Sequence, residues 1–342
     1  MHMHTVVTFG DLLLRLSPPG YKRFLQADNF EAVYTGAEAN VSVSLVNFGL
    51  QSKFITCAPK HEIGQAAVNF LNRYGVDTSC IVRKGERLGL FYSETGASQR
   101  ASKIIYDRMH SAFCELKSGD IDWAAVLNGA SWFHYTGVTP ALGEGPRVVL
   151  LEALKEAKRL GVKVSADINY RKKLWPADEA NKVMSEMMKY TDVAIGNEED
   201  AELVFGIKAT GADVAAGKID EEGYFGVARE IASRFGCEKV AITLRESISA
   251  SDNNWSAMLY DGKDCYTSAR YKIHIVDRVG GGDSFAGGLI YSLITGKPIQ
   301  EALEFAVAAS CLKHSIPGDM NMVGASEAES LMKGNASGRV QR

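Results

Sequence analysis

The residues best suited to do chemistry lie late in the chain, in Asp277-Arg278-Val279-Gly280-Gly281-Gly282-Asp283-Ser284. A helical pattern opens at the second acid: Ala286, Leu289, Ile290, Leu293 and Ile294 recur at i, i+3, i+4, i+7 and i+8. Glycines entering a helix leave backbone N–H groups without helical partners, at the positive end of the helix dipole. That is an anion site, and phosphate is the usual anion. A carboxylate beside bound phosphate is repelled unless it has a task. One task fits: Asp283 accepts the proton of a hydroxyl as that hydroxyl attacks a phosphoryl group. The amides of Gly280, Gly281 and Gly282 would stabilise the transferred group. Gly287 and Gly288 follow inside the helix, each costing about 1 kcal/mol relative to Ala there. Something must pack very close to those turns. A tight turn with an acidic N-cap is the plainer reading of the same residues.

The elements that position this loop are read from hydrophobic periodicity. Strands are expected at 5–10, 53–57, 132–136, 162–168, 193–196 and 239–244. Helices are expected from the 36–40 segment onward and at 62–74, 146–160, 180–190, 224–235 and 299–313. Asp261-Gly262 marks a hairpin between 256–261 and 265–269. Such alternation argues a doubly wound, mostly parallel α/β sheet with helices on both faces, binding ligands at the carboxyl ends of its strands. Polar residues fall just there: Asp11, then Asp167, Asn169 and Arg171, then Asn197 and Asp200, then Thr243 and Arg245. Any one of these groups is equally an N-cap or a surface loop; their recurrence along one sheet edge is the informative part. Residues 12–35 and 85–113 depart from the alternation, with strand formers and short turns. They read as a small β-sheet lid, useful for excluding water from a phosphoryl transfer, or else as an edge extension of the main sheet. Residues 1–333 are then a single domain, and 334–342 a loose tail.

Composition narrows the classes. A net charge of −3 over 342 residues gives no reason to expect nucleic acid or an anionic membrane as a partner. Six cysteines form no C-x-x-C pair and no zinc spacing, so reduced thiols and a cytoplasmic location are expected. No apolar run is long enough to span a bilayer, and the start has no signal-peptide layout. There is no G-x-x-x-x-G-K-[ST], and the first strand is not followed by G-x-G-x-x-G.

The glycine loop resembles the Asp-x-x-Gly-Ala-Gly-Asp signature of the ribokinase-like (pfkB) carbohydrate kinases, with Gly281 at the alanine position. Gly36-Ala37-Glu38-Ala39-Asn40 is similar to their sugar-binding Gly-Gly-Ala-x-x-Asn, with Thr35 for the first glycine. Asn197-Glu198-Glu199-Asp200 resembles their Asn-x-x-Glu, one methylene shorter at Asp200. Thr243-Leu244-Arg245 resembles their Thr-Leu-Gly turn, with Arg245 replacing the glycine. The resemblance implies a ribokinase-like fold with ATP and Mg²⁺ as cofactors. It places Asn169, Asn197, Thr243, Arg245, Asp277, Gly280 and Gly282 at the nucleotide, and Asp200 at the metal through water.

Within the family the chain is most similar to the 2-keto-3-deoxygluconate kinases. Tyr106-Asp107-Arg108, Asp167-Ile168-Asn169-Tyr170-Arg171, Leu174-Trp175 and Lys313-His314-Ser315-Ile316-Pro317-Gly318-Asp319 carry that likeness. It implies phosphorylation of 2-keto-3-deoxygluconate to its 6-phosphate, with Asp11, Gly36, Asn40, Tyr92, Tyr106, Arg108, Arg171 and Asp319 at the acidic sugar. Physics agrees on the acid: a sugar carboxylate needs a cation, and a lid arginine such as Arg108 supplies one. A charge-assisted hydrogen bond contributes roughly 1.5–3 kcal/mol. A fructokinase or ribokinase acting on a neutral sugar is the enzyme alternative, and a non-catalytic sugar or nucleotide sensor a further one. Pairing of exposed lid strands implies a homo-oligomer.

Overall fold

A computed structural model describes residues 4–197, 199–209 and 221–335. The strand Thr5–Phe9 lies between two parallel neighbours, Gln51–Ile55 and Trp132–Thr136. The sheet continues from Trp132–Thr136 through Lys163–Asp167, Val193–Asn197 and Lys239–Ser247, still parallel. It ends with Asp252–Tyr260, antiparallel to Lys239–Ser247 and paired in turn with Cys265–Thr267 and Tyr271–His274. Among the described residues this sheet has nine strands.

Strands covered on both faces read as near-continuous apolar runs, because alternate side chains enter opposite layers. Val6, Trp132, Val193 and Ala241 pack with the helices Ala37–Asn47, Gly281–Ile294 and Ile299–Lys313. Val7, Phe133, Val164 and Val240 pack with Glu144–Leu160, Ala177–Met187 and Glu221–Phe235 on the other face. The doubly wound α/β expectation therefore holds.

Residues 12–35 and 85–113 do leave the main sheet. They supply the strands Leu13–Ser17, Glu31–Thr35, Gly89–Glu94 and Lys103–Asp107, which form a separate four-stranded sheet. Leu13–Ser17 runs parallel to Gly89–Glu94, and the outer pairings are antiparallel. Within residues 12–35 the chain also makes a 3₁₀ turn, Phe24–Gln26. The Glu94 carboxylate draws it in, accepting from Phe24 N at 2.9 Å and Arg23 Nε at 3.1 Å.

Three further departures have local causes. The glycine helix starts at Gly281, two residues before Asp283, because Gly280 takes φ +84° and turns the chain there. The strand Lys239–Ser247 does not turn at Arg245. It stays paired there, opposite Trp255. A short helix, Ala325–Met332, follows the last long one and lacks any strong sequence signal. Of the expected tail, residues 336–342 lie outside the described residues. No helix among those described is long and apolar enough to cross a membrane.

Candidate active site

Two helices meet at the carboxyl edge of the main sheet. Gly281–Ile294 and Ala37–Asn47 approach so closely that a Cβ on Gly287 would lie 2.8 Å from Ser44 Cβ. This close approach sets Asn40 against Asp283: Asn40 Nδ2 donates to Asp283 Oδ2 at 2.7 Å. Thr35 Oγ1 donates to Asn40 Oδ1 at 3.1 Å, which fixes the way the amide faces. Asp283 is 9% exposed. Burial pushes its carboxyl up to about 7, the Asn40 hydrogen bond pulls it down, and the nearby Glu38 adds to the rise. A carboxyl poised near neutrality at the floor of a cavity can exchange a proton with a hydroxyl. The cavity above it is about 680 Å³, the size of a small-ligand site.

The glycine loop is held from below. Asp277 Oδ1 accepts from Val279 N, and its Oδ2 accepts from Gly318 N and Arg15 Nη1. Arg15 also pairs with Asp319 Oδ1. Gly280 is indispensable in this turn, since a Cβ there would lie 1.9 Å from Asp319 O. Gly280 and Gly282 line the cavity, and Gly281 does not. The Gly281 amide donates to Arg278 O at 3.3 Å. Of the expected three-amide anion site, Gly280 and Gly282 are thus the two that border the cavity, while a Cβ on Gly281 would meet the His314 ring.

A second wall comes from the ends of the strands Lys163–Asp167 and Val193–Asn197. Asp200 ties them together, accepting from Tyr170 N at 3.1 Å and Asn197 N at 3.0 Å. The Asn197 carboxamide caps the next turn by accepting from Glu199 N and Asp200 N. Glu198 lies outside the described residues. The Asp167 carboxyl is pushed well above its ordinary range by burial, reinforced by Asp200 and Asp283. Asn169 stands beside it in a left-handed conformation, φ +41°. Its buried Oδ1 has no hydrogen-bond partner among the described residues, which is what a ligand-facing oxygen looks like before its ligand arrives. These donors are all oxygens, as a hard divalent cation requires. Arg171 lines the same wall, and its charge favours the ionised forms of Asp167, Asp200 and Asp283. Thr243 and Arg245 also reach the cavity, and Arg245 shares its far side with Arg278 and His314.

The smaller sheet forms the roof. Arg108 donates through Nε and Nη2 to Asp11 Oδ2, at 3.2 and 3.0 Å. Arg108 and Tyr106 line the cavity, as do Gly36 and Asn40. Asp11 does not: it is buried behind Arg108 and holds the guanidinium in place. Tyr92 is also misplaced by the sequence reading. It lies on the opposite face of the sheet, packed on Phe30 with ring centroids 6.1 Å apart. Its neighbours Phe91 and Ser93 line the cavity instead, since a strand sends successive side chains to opposite faces. Asp319 keeps one buried oxygen, Oδ2, without a partner among the described residues, and it too lines the cavity.

Sequence reasoning missed several contributors. Arg15 reads as an ordinary residue of a short strand, and its partners lie 262 and 304 positions away. Glu38 occupies a variable position of its motif. Yet its Oε1 accepts from Thr136 N, Thr136 Oγ1 and Thr139 Oγ1, pinning the start of the Asn40 helix to the central sheet. No local pattern announces either role.

Known proteins share this architecture. The profile for pfkB family carbohydrate kinases matches residues 3–324. The crystal structure of 2-dehydro-3-deoxygluconokinase from Thermotoga maritima superposes with a TM-score of 0.93 at 49% identity, covering 96% of this chain and 99% of that one. The 2-dehydro-3-deoxygalactonokinase of Haloferax volcanii is 28% identical over 333 residues, 97% of this chain and 98% of its own. The 2-dehydro-3-deoxygluconokinase of Thermoproteus tenax is 27% identical over 338 residues, 97% and 95% of the two chains. A buried carboxyl at a glycine-loop helix, set between a doubly wound sheet and a roof of four strands, has its explanation here: the chain belongs to the pfkB family of carbohydrate kinases.

Proposed function

We propose that this kinase transfers the γ-phosphoryl group of ATP to the 6-hydroxyl of 2-keto-3-deoxygluconate. The observation that carries the reading is Asp283, buried, bonded to Asn40 and poised near neutrality beside the glycine loop. In this mechanism Asp283 accepts the hydroxyl proton as the oxygen attacks phosphorus. The amides of Gly280 and Gly282 meet the equatorial oxygens of the transferred group. Asn169, Asn197, Thr243, Arg245 and Asp277 frame the nucleotide side. Asn169 Oδ1, Asp167 and Asp200 are the residues to hold Mg²⁺, directly or through water. The described residues form no cluster of three or more His, Cys, Asp or Glu ligands, so the protein would supply only part of the ion's oxygen shell. When bound, the ion would offset the negative charge of the nucleotide phosphates.

The acidic acceptor is supported by Arg108, held over the cavity by Asp11, and by the names of the relatives above. Tyr106, Gly36, Asn40, Arg171 and Asp319 complete its contacts. The four-stranded sheet is the lid, and its outer face is where a second copy docks. The six free cysteines suit a cytoplasmic setting.

The test is ADP release with Mg·ATP and a panel of 2-keto-3-deoxygluconate, its galactonate epimer, gluconate, fructose, ribose and no sugar. Turnover with the keto-deoxy acids is expected. Turnover with fructose or ribose alone would remove the carboxylate role of Arg108, and ATP binding without any turnover would favour the sensor.

A further inference from the structure

Beneath the glycine loop lies a cation that the mechanism above does not use. Lys313, the last residue of the helix Ile299–Lys313, is 0% exposed. A lysine that deep is uncommon and needs partners for its ammonium. Lys313 Nζ donates to Asp277 O at 3.1 Å and to Ile316 O at 3.4 Å. Both acceptors are backbone carbonyls, one on each of the two loops that frame the anion site. The same loops are joined by Val276 N and Asp277 N donating to His314 O. Lys313 Cε would sit 3.3 Å from a Cβ on Gly280. The end of the Lys313 side chain therefore packs against Gly280, the residue that starts the anion site, yet Lys313 does not line the cavity.

Acids surround the ammonium: the charges of Asp277, Asp319 and Asp283 act on Lys313, and Arg15, which pairs with the first two, opposes them. Without Lys313, Arg15 alone would stand between Asp277 and Asp319 beneath a loop that must accept a phosphoryl group. The two carbonyls would also present their negative ends there, unmasked.

We infer that the Lys313 ammonium is a built-in cation: it masks the carbonyls of Asp277 and Ile316, holds the two loops together and keeps the Gly280 amide turned toward the transferred group. It is a positioning residue, acting through the loop rather than on substrate. A cage of backbone carbonyls that has lost its ammonium is a site for a small monovalent ion, as carbonyl oxygens elsewhere replace the hydration shell of potassium. The inference rests on the kinase reading, so the assays use the acceptor that the wild type turns over; a wild type silent on the whole panel would instead identify a failure of that reading.

Three proteins decide it: wild type, Lys313→Met and Lys313→Ala, compared at matched ionic strength in tetramethylammonium, potassium and ammonium chloride. The wild-type rate is expected to be the same in all three salts, because its cage is already filled. Lys313→Met should lose kcat by about 10- to 100-fold, the scale of a small displacement of catalytic groups, with KM for the sugar little changed. Lys313→Ala should lose as much in tetramethylammonium and recover in ammonium or potassium. A folded Lys313→Met with wild-type kcat would overturn the inference. So would a folded Lys313→Ala that no small cation rescues. Should neither variant fold, the wild type still decides: a requirement for potassium or ammonium would show that Lys313 does not complete the site.

Discussion

Asp283 must be ionised to act as a base, and burial opposes that. Its carboxyl is raised from 3.8 to about 7, so kcat/KM should climb with pH, about tenfold per unit below 7, and level off above it. Asn40 opposes the rise through its hydrogen bond to Oδ2. Removing it in Asn40→Ala should move the acidic limb to higher pH, which a pH–rate profile reads directly; an unmoved limb would separate Asn40 from the base. Asp283→Asn should lower kcat by ~10²–10⁴. The sign of its stability effect also follows. A carboxyl raised on folding contributes stability below its unfolded value, and that contribution is lost as pH rises through the folded one. Between pH 3.8 and about 7, Asp283→Asn should thus gain steadily over wild type in thermal melts, a stability–activity trade at the proposed base.

Arg108 carries a different mixture. Arg108→Ala should raise KM for the sugar acid far more than for ATP. It should also lower the melting temperature, because it leaves the Asp11 carboxylate buried without its cation. Breaking a buried pair in this way costs about 3–5 kcal/mol. An Asp11→Asn variant with normal KM for the acid would show that Arg108 keeps its place without help. Asp283, Asn40 and Arg108 could be picked out as candidates because of their types and spacing, and the fold brings all three to one cavity. Tyr92 misled because sequence gives a strand's composition but not which parity faces inward, and a one-residue change of parity exchanges Tyr92 for Phe91.

Elements carry the geometry these residues need. Asp283 and Asn40 sit on separate helices, and their 2.7 Å contact depends on the helices touching at Gly287 and Ser44. Gly287→Ala would bring a Cβ to 2.8 Å from Ser44 Cβ, so the helices must part. Overpacking of this kind costs about 1–3 kcal/mol. The loss of kcat should exceed what the lost stability explains at a temperature where the variant is fully folded. Pairing Gly287→Ala with Ser44→Gly should restore both, and a double variant no better than the single would place the defect elsewhere. The two glycines did announce a close contact in the sequence, but not its partner. Most strands and helices were also legible, since both-face burial gives apolar runs and helices carry a 3.6-residue period. The start of the catalytic helix was not, because Gly281 and Gly282 have no side chains to show a period. Arg15 was illegible for another reason: its meaning lies in Asp277 and Asp319, which only the tertiary fold brings to it.

At the scale of the whole molecule the roof remains half satisfied. Its inner face lines the cavity with Leu13, Arg15, Phe91 and Tyr106. Its outer face carries Leu14, Leu16, Leu90, Tyr92 and Ile105, paired across the strands. Ile105 is 54% exposed, and Leu25 and Phe30 beside this sheet are 101% and 40% exposed. An apolar sheet face with open neighbours is a liability unless it is covered. A second copy of the same roof offers a self-complementary cover, which a two-fold dimer needs. Sedimentation should therefore find a dimer, and Ile105→Glu, which sets like charges against each other across the two-fold, should shift it to monomer. Because Ile104 and Tyr106 on the same strand face the cavity, an uncovered roof should also hold its inner face less firmly. KM for the sugar acid should then rise in the monomer while KM for ATP stays near its wild-type value. A monomeric wild type, or an Ile105→Glu variant that remains dimeric, would mean that the roof is covered in some other way.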